Sequence, residues 1–118
     1  MKIVNREQFL ALPENTVYSV AGKDCHFWED LYIKGSTWKN DWMYLDLINN
    51  VDACDSNESS EIIYSAIHKG TEFRNDDTLQ RDGMYDENDM YVIFDDTDVR
   101  LIISLLQGTL TDTENEAH

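Results

Sequence analysis

Asp86-Glu-Asn-Asp-Met-Tyr-Val-Ile-Phe-Asp-Asp-Thr-Asp-Val-Arg-Leu-Ile-Ile-Ser-Leu-Leu-Gln107 decides how this chain folds. Met90 to Phe94 is a short apolar run of aromatic and β-branched residues between two acidic clusters. Such a run reads as a buried strand, because it is too short for a core helix and rich in strand formers. Asp95, Asp96, Thr97 and Asp98 then supply N-cap oxygens and negative charge where a helix dipole is positive. Val99, Ile102, Ile103 and Leu106 recur at i, i+3, i+4 and i+7, with Leu101 and Leu105 beside them. That spacing predicts a core helix over residues 97–107 with one broad apolar face. Gly108 stands where a C′ glycine would end it.

Working outward, Lys2 to Val4 reads as a strand, and Asn5 with Gln8 has the spacing of a capping box. Val4 and Phe9 hold the two positions of a hydrophobic staple, so a short helix is expected over residues 6–11, stopped by Pro13. Thr16 to Val20 has strand composition. Cys25 to Trp28 and Leu31 to Lys34 are two further strands, or one strand bulged at Glu29-Asp30. Gly35-Ser36 opens a turn that carries Trp38 and ends near Asn40-Asp41. Trp42 to Ile48 follows as a strand with Met43, Leu45 and Leu47 on one face and Trp42, Tyr44 and Asp46 on the other. Asp55 and Glu58 have capping spacing, and Ile62, Ile63, Ala66 and Ile67 give one apolar face. A second helix is therefore expected over residues 58–69, with Gly70 as its C′ residue. Thr71 to Arg74 reads as a short strand and Asn75 to Asp89 as loop. The inventory is α+β: an antiparallel sheet of about four to six strands, two longer helices and a short N-terminal one. One domain is expected over residues 1–108, with 109–118 as a mobile tail.

Charge excludes more than it identifies. The 118 residues carry nine Lys/Arg and 24 Asp/Glu, a net charge of −15. Residues 1–40 hold five of each sign, so the whole imbalance lies in residues 41–118. Direct binding to nucleic acid or an anionic membrane is disfavoured, because phosphate contacts need Lys and Arg. A basic partner is attracted instead. A compact domain of this length spans roughly 35 Å, and duplex DNA of that length carries on the order of 20 phosphate charges. The protein's charge is thus comparable with that of the DNA segment it would displace. The densest carboxylates are Asp76, Asp77, Asp82, Asp86, Glu87, Asp89, Asp95, Asp96 and Asp98. They form one field if the loop packs beside the last strand and helix. No apolar run reaches the roughly 18 residues of a membrane span, and the N-terminus lacks a signal-peptide core. Cys25 and Cys54 read as reduced thiols.

Other chemistries have weaker footing. Asp55, Asn57, Ser59 and Glu61 alternate as in a calcium loop, but Ser60 replaces the turn glycine and Ala66 the bidentate Glu. Cys25, His26, Cys54 and His68 lack zinc-ligand spacing. No nucleophile elbow or phosphate-cradling loop is present. The expectation is a non-enzymatic protein with no cofactor and no metal. Most of the crowded aromatics read as core. A surplus facing outward offers an alternative ligand pocket for a small signalling nucleotide at Lys34, Trp38, Lys39, Trp42 and Tyr44.

Met1-Lys-Ile-Val-Asn-Arg-Glu-Gln-Phe-Leu-Ala-Leu-Pro13 with Thr16-Val-Tyr-Ser19, Leu31-Tyr-Ile-Lys-Gly-Ser-Thr-Trp38, and Arg81-Asp-Gly-Met-Tyr-Asp-Glu-Asn-Asp-Met-Tyr-Val-Ile-Phe94 resemble segments of small bacteriophage proteins without established activity. The resemblance implies a viral origin and the host bacterial cytoplasm. Small phage proteins of this kind often counter host defences, and acidic ones commonly occupy the nucleic-acid surface of a restriction or CRISPR effector. The resulting expectation is an anti-defence inhibitor bound to a basic host protein. The alternatives are a nucleotide sponge and a structural or host-takeover interaction protein.

Overall fold

The computed structural model describes residues 1–24, 27–53, 55–81 and 86–110. Its elements in chain order are β1 (Lys2–Val4), α1 (Arg6–Leu10), β2 (Val17–Gly22), β3 (Tyr32–Trp38), β4 (Asp41–Asp46), α2 (Ser56–Lys69), β5 (Gln80–Arg81), β6 (Met90–Phe94) and α3 (Asp96–Gln107). The strands form one antiparallel sheet in the order β1-β6-β2-β3-β4-β5. The fold is α+β, with six strands and two helices longer than the first. β6 enters between β1 and β2, so the opening stretch supplies a central strand.

Local chemistry sets the helix starts. Asn5 accepts from the Gln8 N–H at 2.8 Å and the Gln8 side chain accepts from Asn5 N–H at 3.0 Å, the reciprocal box expected there. Asp55 accepts from Glu58 N–H at 2.8 Å, as their spacing predicts, and α2 starts at Ser56, two residues before the expected range of 58–69. Asp95 and Asp98 form a second reciprocal box, at 2.9 and 3.0 Å. Gly70 ends α2 at φ 69°, in the left-handed region that glycine occupies without a Cβ clash. Gly108 ends α3 differently, at φ −65°.

The register decides the core. Residues opposite one another share a face, so Val4, Tyr18, Val20, Tyr91, Ile93, Tyr32, Lys34, Tyr44 and Trp42 line one side. On that side α1 drives Phe9, which is fully buried, among three rings. Its centroid lies 4.4 Å from Tyr91, 4.6 Å from Tyr18 and 4.8 Å from Trp42. Trp42 Nε1 donates to the Tyr18 hydroxyl at 2.9 Å. Burial pushes the Tyr18 hydroxyl above its ordinary pKa. Arg6 completes the lid: its guanidinium stacks over Trp42 at 5.0 Å and donates to the Asn40 carbonyl.

Several expectations are corrected. No strand occurs at residues 27–30, in the connection from β2 to its neighbour β3, where the Asp30 carbonyl accepts from Ser19 Oγ. Cys25 and His26 lie outside the described residues. The turn placed at Gly35-Ser36 is strand: β3 runs on to Trp38 past a register shift between Lys34 and Thr37. The reversal falls at Lys39, at φ 54°. A Cβ on Gly35 would meet the Met43 carbonyl oxygen at 3.1 Å, so glycine lets the two strands close there. Thr71 to Arg74 is not a strand; instead Val51 bridges Asn75, and β5 appears inside the stretch read as loop. The helix read as core, α3, has no buried residue. The proposed tail falls largely outside the described residues.

Candidate acidic interface

The predicted carboxylates occupy three places. The first is the turn before β6. Asp86 Oδ1 accepts from Asn88 N–H at 2.9 Å, and the Asp86 carbonyl accepts from Asp89 N–H at 3.0 Å. This Asx turn holds Asp86, Glu87 and Asp89 together, because the Asp side chain substitutes for a backbone acceptor. Glu87 lines a cavity of about 340 Å³ with Arg6, Glu7, Leu10 and Asn40, so the turn sits against α1.

The second place is the β6–α3 joint. The chain's amino group lies 2.9 Å from Asp98 and 3.9 Å from Asp95. Its hydrogen bond to Asp98 holds that carboxyl below the usual range, and the Asp98 carboxylate in turn raises the amino group. Asp96 is exposed beside them.

The third place is the approach to β5, on the opposite edge of the sheet from β1. Asp76 N–H donates to the Asn50 carbonyl at 2.5 Å, and Asp76 Oδ2 accepts from the Thr78 hydroxyl at 2.5 Å. That hydroxyl keeps the Asp76 carboxyl below its ordinary pKa. Asp77 is exposed next to it. Asp82 lies outside the described residues.

The structure therefore does not gather these side chains into one field. Residues 86–89 and 95–98 flank the two ends of β6, roughly 20 Å apart at about 3.3 Å per residue. The Debye length is about 8 Å at physiological salt, so each end presents its own potential. Among the described residues, no Lys or Arg side chain is ion-paired to Asp76, Asp77, Asp86, Glu87, Asp89 or Asp96.

The alternative pocket is divided as well. Trp42 and Lys34 are core residues under α1, whereas Trp38 and Lys39 point outward at the β3–β4 turn. Lys39 Nζ lies over the Trp38 ring at 5.6 Å. Tyr44 is half-buried and packs edge-on against Tyr32 at 5.1 Å. The five residues do not converge. Trp42, rather than Met43, faces the core, because the neighbouring aromatics of β2 and β6 share its side of the sheet.

Sequence reasoning missed the buried polar groups. Lys34 is 1% exposed and donates to the Leu12 carbonyl at 2.7 Å and to Thr37 Oγ1 at 2.5 Å. Burial lowers its pKa. Asp41 is buried beside Arg81 Nε at 2.5 Å, and that hydrogen bond holds its carboxyl below the usual range. Asp46 and Asn50 are buried too: Asp46 accepts from Ile48 and Asn49 N–H groups at 3.0 Å, and Asn50 bonds Thr78 and Gln80. The available signal was parity, since Lys34 and Asp46 share the side of Tyr32 and Tyr44.

Among the described residues, no three His, Cys, Asp or Glu side chains converge as a metal ion would require. His68 packs on Tyr64 at 4.2 Å, while Cys54 lies outside the described set. No described helix is long and apolar enough to cross a membrane. No family model, no curated protein and no solved structure matches the chain.

Proposed function

We propose that this chain is a non-enzymatic inhibitor that occupies a basic, nucleic-acid-binding site on a partner protein. On the resemblance to small phage proteins, that partner is a host defence effector in the bacterial cytoplasm. One observation carries the reading: the carboxylates at both ends of β6 and before β5 are held by local hydrogen bonds, and most are in no ion pair among the described residues. Uncompensated charge on this scale destabilises a fold, so its retention favours a use. Because the two ends of β6 act separately, the partner site must offer two cationic spots about 20 Å apart. The acidic turn at residues 86–89 is the primary contact, since none of its three carboxylates is in a described ion pair, whereas Asp95 and Asp98 at the other end face the chain's amino group.

The test is competition between the full chain and DNA or guide RNA for basic defence effectors, at low and at high salt. Association should weaken steeply with salt. Asp86→Lys, Glu87→Lys and Asp89→Lys together should abolish inhibition while circular dichroism stays native. Inhibition unchanged by the triple substitution refutes the turn as the contact.

A further inference from the structure

Helix α2 and the segment that follows it enclose a groove. Gly70, at φ 69°, reverses the backbone, and residues 71–74 then run back beside α2 without turn or bend. Thr71 N–H donates to the Ser65 carbonyl at 3.3 Å, and the Arg74 carbonyl accepts from Asp52 N–H at 3.3 Å, so both ends of the segment are tied. Between these ties the backbone of Glu72 and Phe73 makes no hydrogen bond among the described residues. On the opposite wall, Glu58, Glu61, Ile62 and Ser65 stand at i, i+3, i+4 and i+7 of α2, which is one stripe of the helix. The cavity between the walls measures about 510 Å³. Its apolar floor is Ile62, half-buried, and Phe73, 50% exposed. Asp52, Glu58, Glu61 and Glu72 line it against one cation, Arg74.

We propose that this groove binds an extended, arginine-bearing segment of a partner protein. Carboxylates outnumber cations four to one along it, so an acidic peptide or a phosphate is repelled. Among the described residues, no three carboxylates converge as a metal ion would require. The charge is therefore spread along the groove and suits a long cation better than a compact one. An arginine lays its aliphatic stem on an apolar floor while its head stays among polar groups. The guanidinium pairs with carboxylates through two parallel hydrogen bonds and is attracted to the face of a ring such as that of Phe73. The backbone of Glu72 and Phe73 offers the donors and acceptors by which an added strand is held. From Glu58 to Ser65 the α2 wall is about 10 Å long at 1.5 Å per residue, the span of about three extended residues. The groove shares no residue with the turn at 86–89, and this inference does not rest on the proposed inhibitory function.

Fluorescence polarisation of the full chain with a labelled peptide that alternates arginine and valine, at physiological salt, tests it. The expected result is saturable one-to-one binding, at least about 10-fold tighter than for the same peptide with citrulline in place of arginine. Because the whole chain is anionic, the decisive variants remove equal charge from two places. Glu61→Gln with Glu72→Gln should weaken binding at least about 10-fold, whereas Asp86→Asn with Asp89→Asn should change it less than about 2-fold. Phe73→Ser, which alters no charge, should weaken it about 5-fold or more. Glu61, Glu72 and Phe73 are exposed, so these substitutions leave the core intact. Absence of saturable binding overturns the proposal. Equal weakening by the two charge-removing pairs overturns it too, by making association a property of net charge, as does a Phe73→Ser chain that binds like the wild type. The Asp86→Asn, Asp89→Asn chain separates the two readings: it should lose inhibition of the effector and keep the peptide.

Discussion

Phe9→Ala is the most incisive test of how this fold is held. The helix that carries Phe9 is five residues long and has no independent stability. It persists because an Asn5–Gln8 box starts it and because Phe9 is buried among Tyr18, Trp42 and Tyr91, at centroid distances of 4.6, 4.8 and 4.4 Å. Truncating a buried phenylalanine costs about 3–5 kcal/mol, transfer and cavity terms together. With unfolding entropy of about 2.1 cal/mol/K per residue, this chain has roughly 0.25 kcal/mol/K at its midpoint. A loss of about 4 kcal/mol therefore lowers Tm by about 16 °C. Set against a total stability of roughly 6–18 kcal/mol for this length, that is a large share. Urea unfolding followed by tryptophan emission measures it, since Trp42 lies against Phe9. The expected result is a lower midpoint at unchanged slope, with Phe9→Leu falling between the two. A loss below about 1 kcal/mol would refute the assignment of Phe9 as the centre of the core.

Two further outcomes concern buried charge. Lys34 is desolvated and its pKa is lowered, so below its ordinary value near 10.5 the folded chain binds fewer protons than the unfolded one. Stability should rise with pH through that window, and Lys34→Met should flatten the rise while leaving the fold intact, as thermal melts across alkaline buffers will show. Asp41 has the opposite linkage: its carboxyl is held below 3.8 by Arg81, so its contribution is present above that value and is lost as pH falls through the folded pKa. Asp41→Asn should therefore remove part of the acid-limb loss seen in melts between neutral and acidic pH; an unchanged limb would place the acid sensitivity in other carboxylates.

What the sequence disclosed was local. Asn5, Asp55 and Asp95 mark helix starts because each cap is closed within four residues, and the structure closes all three. Met90 to Phe94 is a strand for similarly short-range reasons. β5 was hidden because its two residues are held from afar: Gln80 by Asn50 and Tyr44, Arg81 by Asp41. The inward face of β4 was hidden for a related reason. Either alternation of Trp42 to Leu47 has apolar members, and the rings of β2 and β6 select Trp42. The apolar periodicity of α3 was legible, but periodicity reveals that a face is apolar and not what covers it. The acidic residues were legible as a census. Their places were not, because position along the chain does not tell which carboxylates a central strand will hold apart.

The position of β6 bears on how the chain acquires its structure. This strand separates β1 from β2, yet it is the last of the six to leave the ribosome. Lys2 and Ile93, paired on neighbouring strands, are separated by 90 residues of chain. At about 5–20 residues per second, the earlier strands wait several seconds for the element that unites them. Until then Tyr18 and Phe9 lack Tyr91, and β1 has no neighbour. Nascent chains arrested before Met90 should be open to proteolysis throughout, and maturation should be abrupt once Phe94 has emerged.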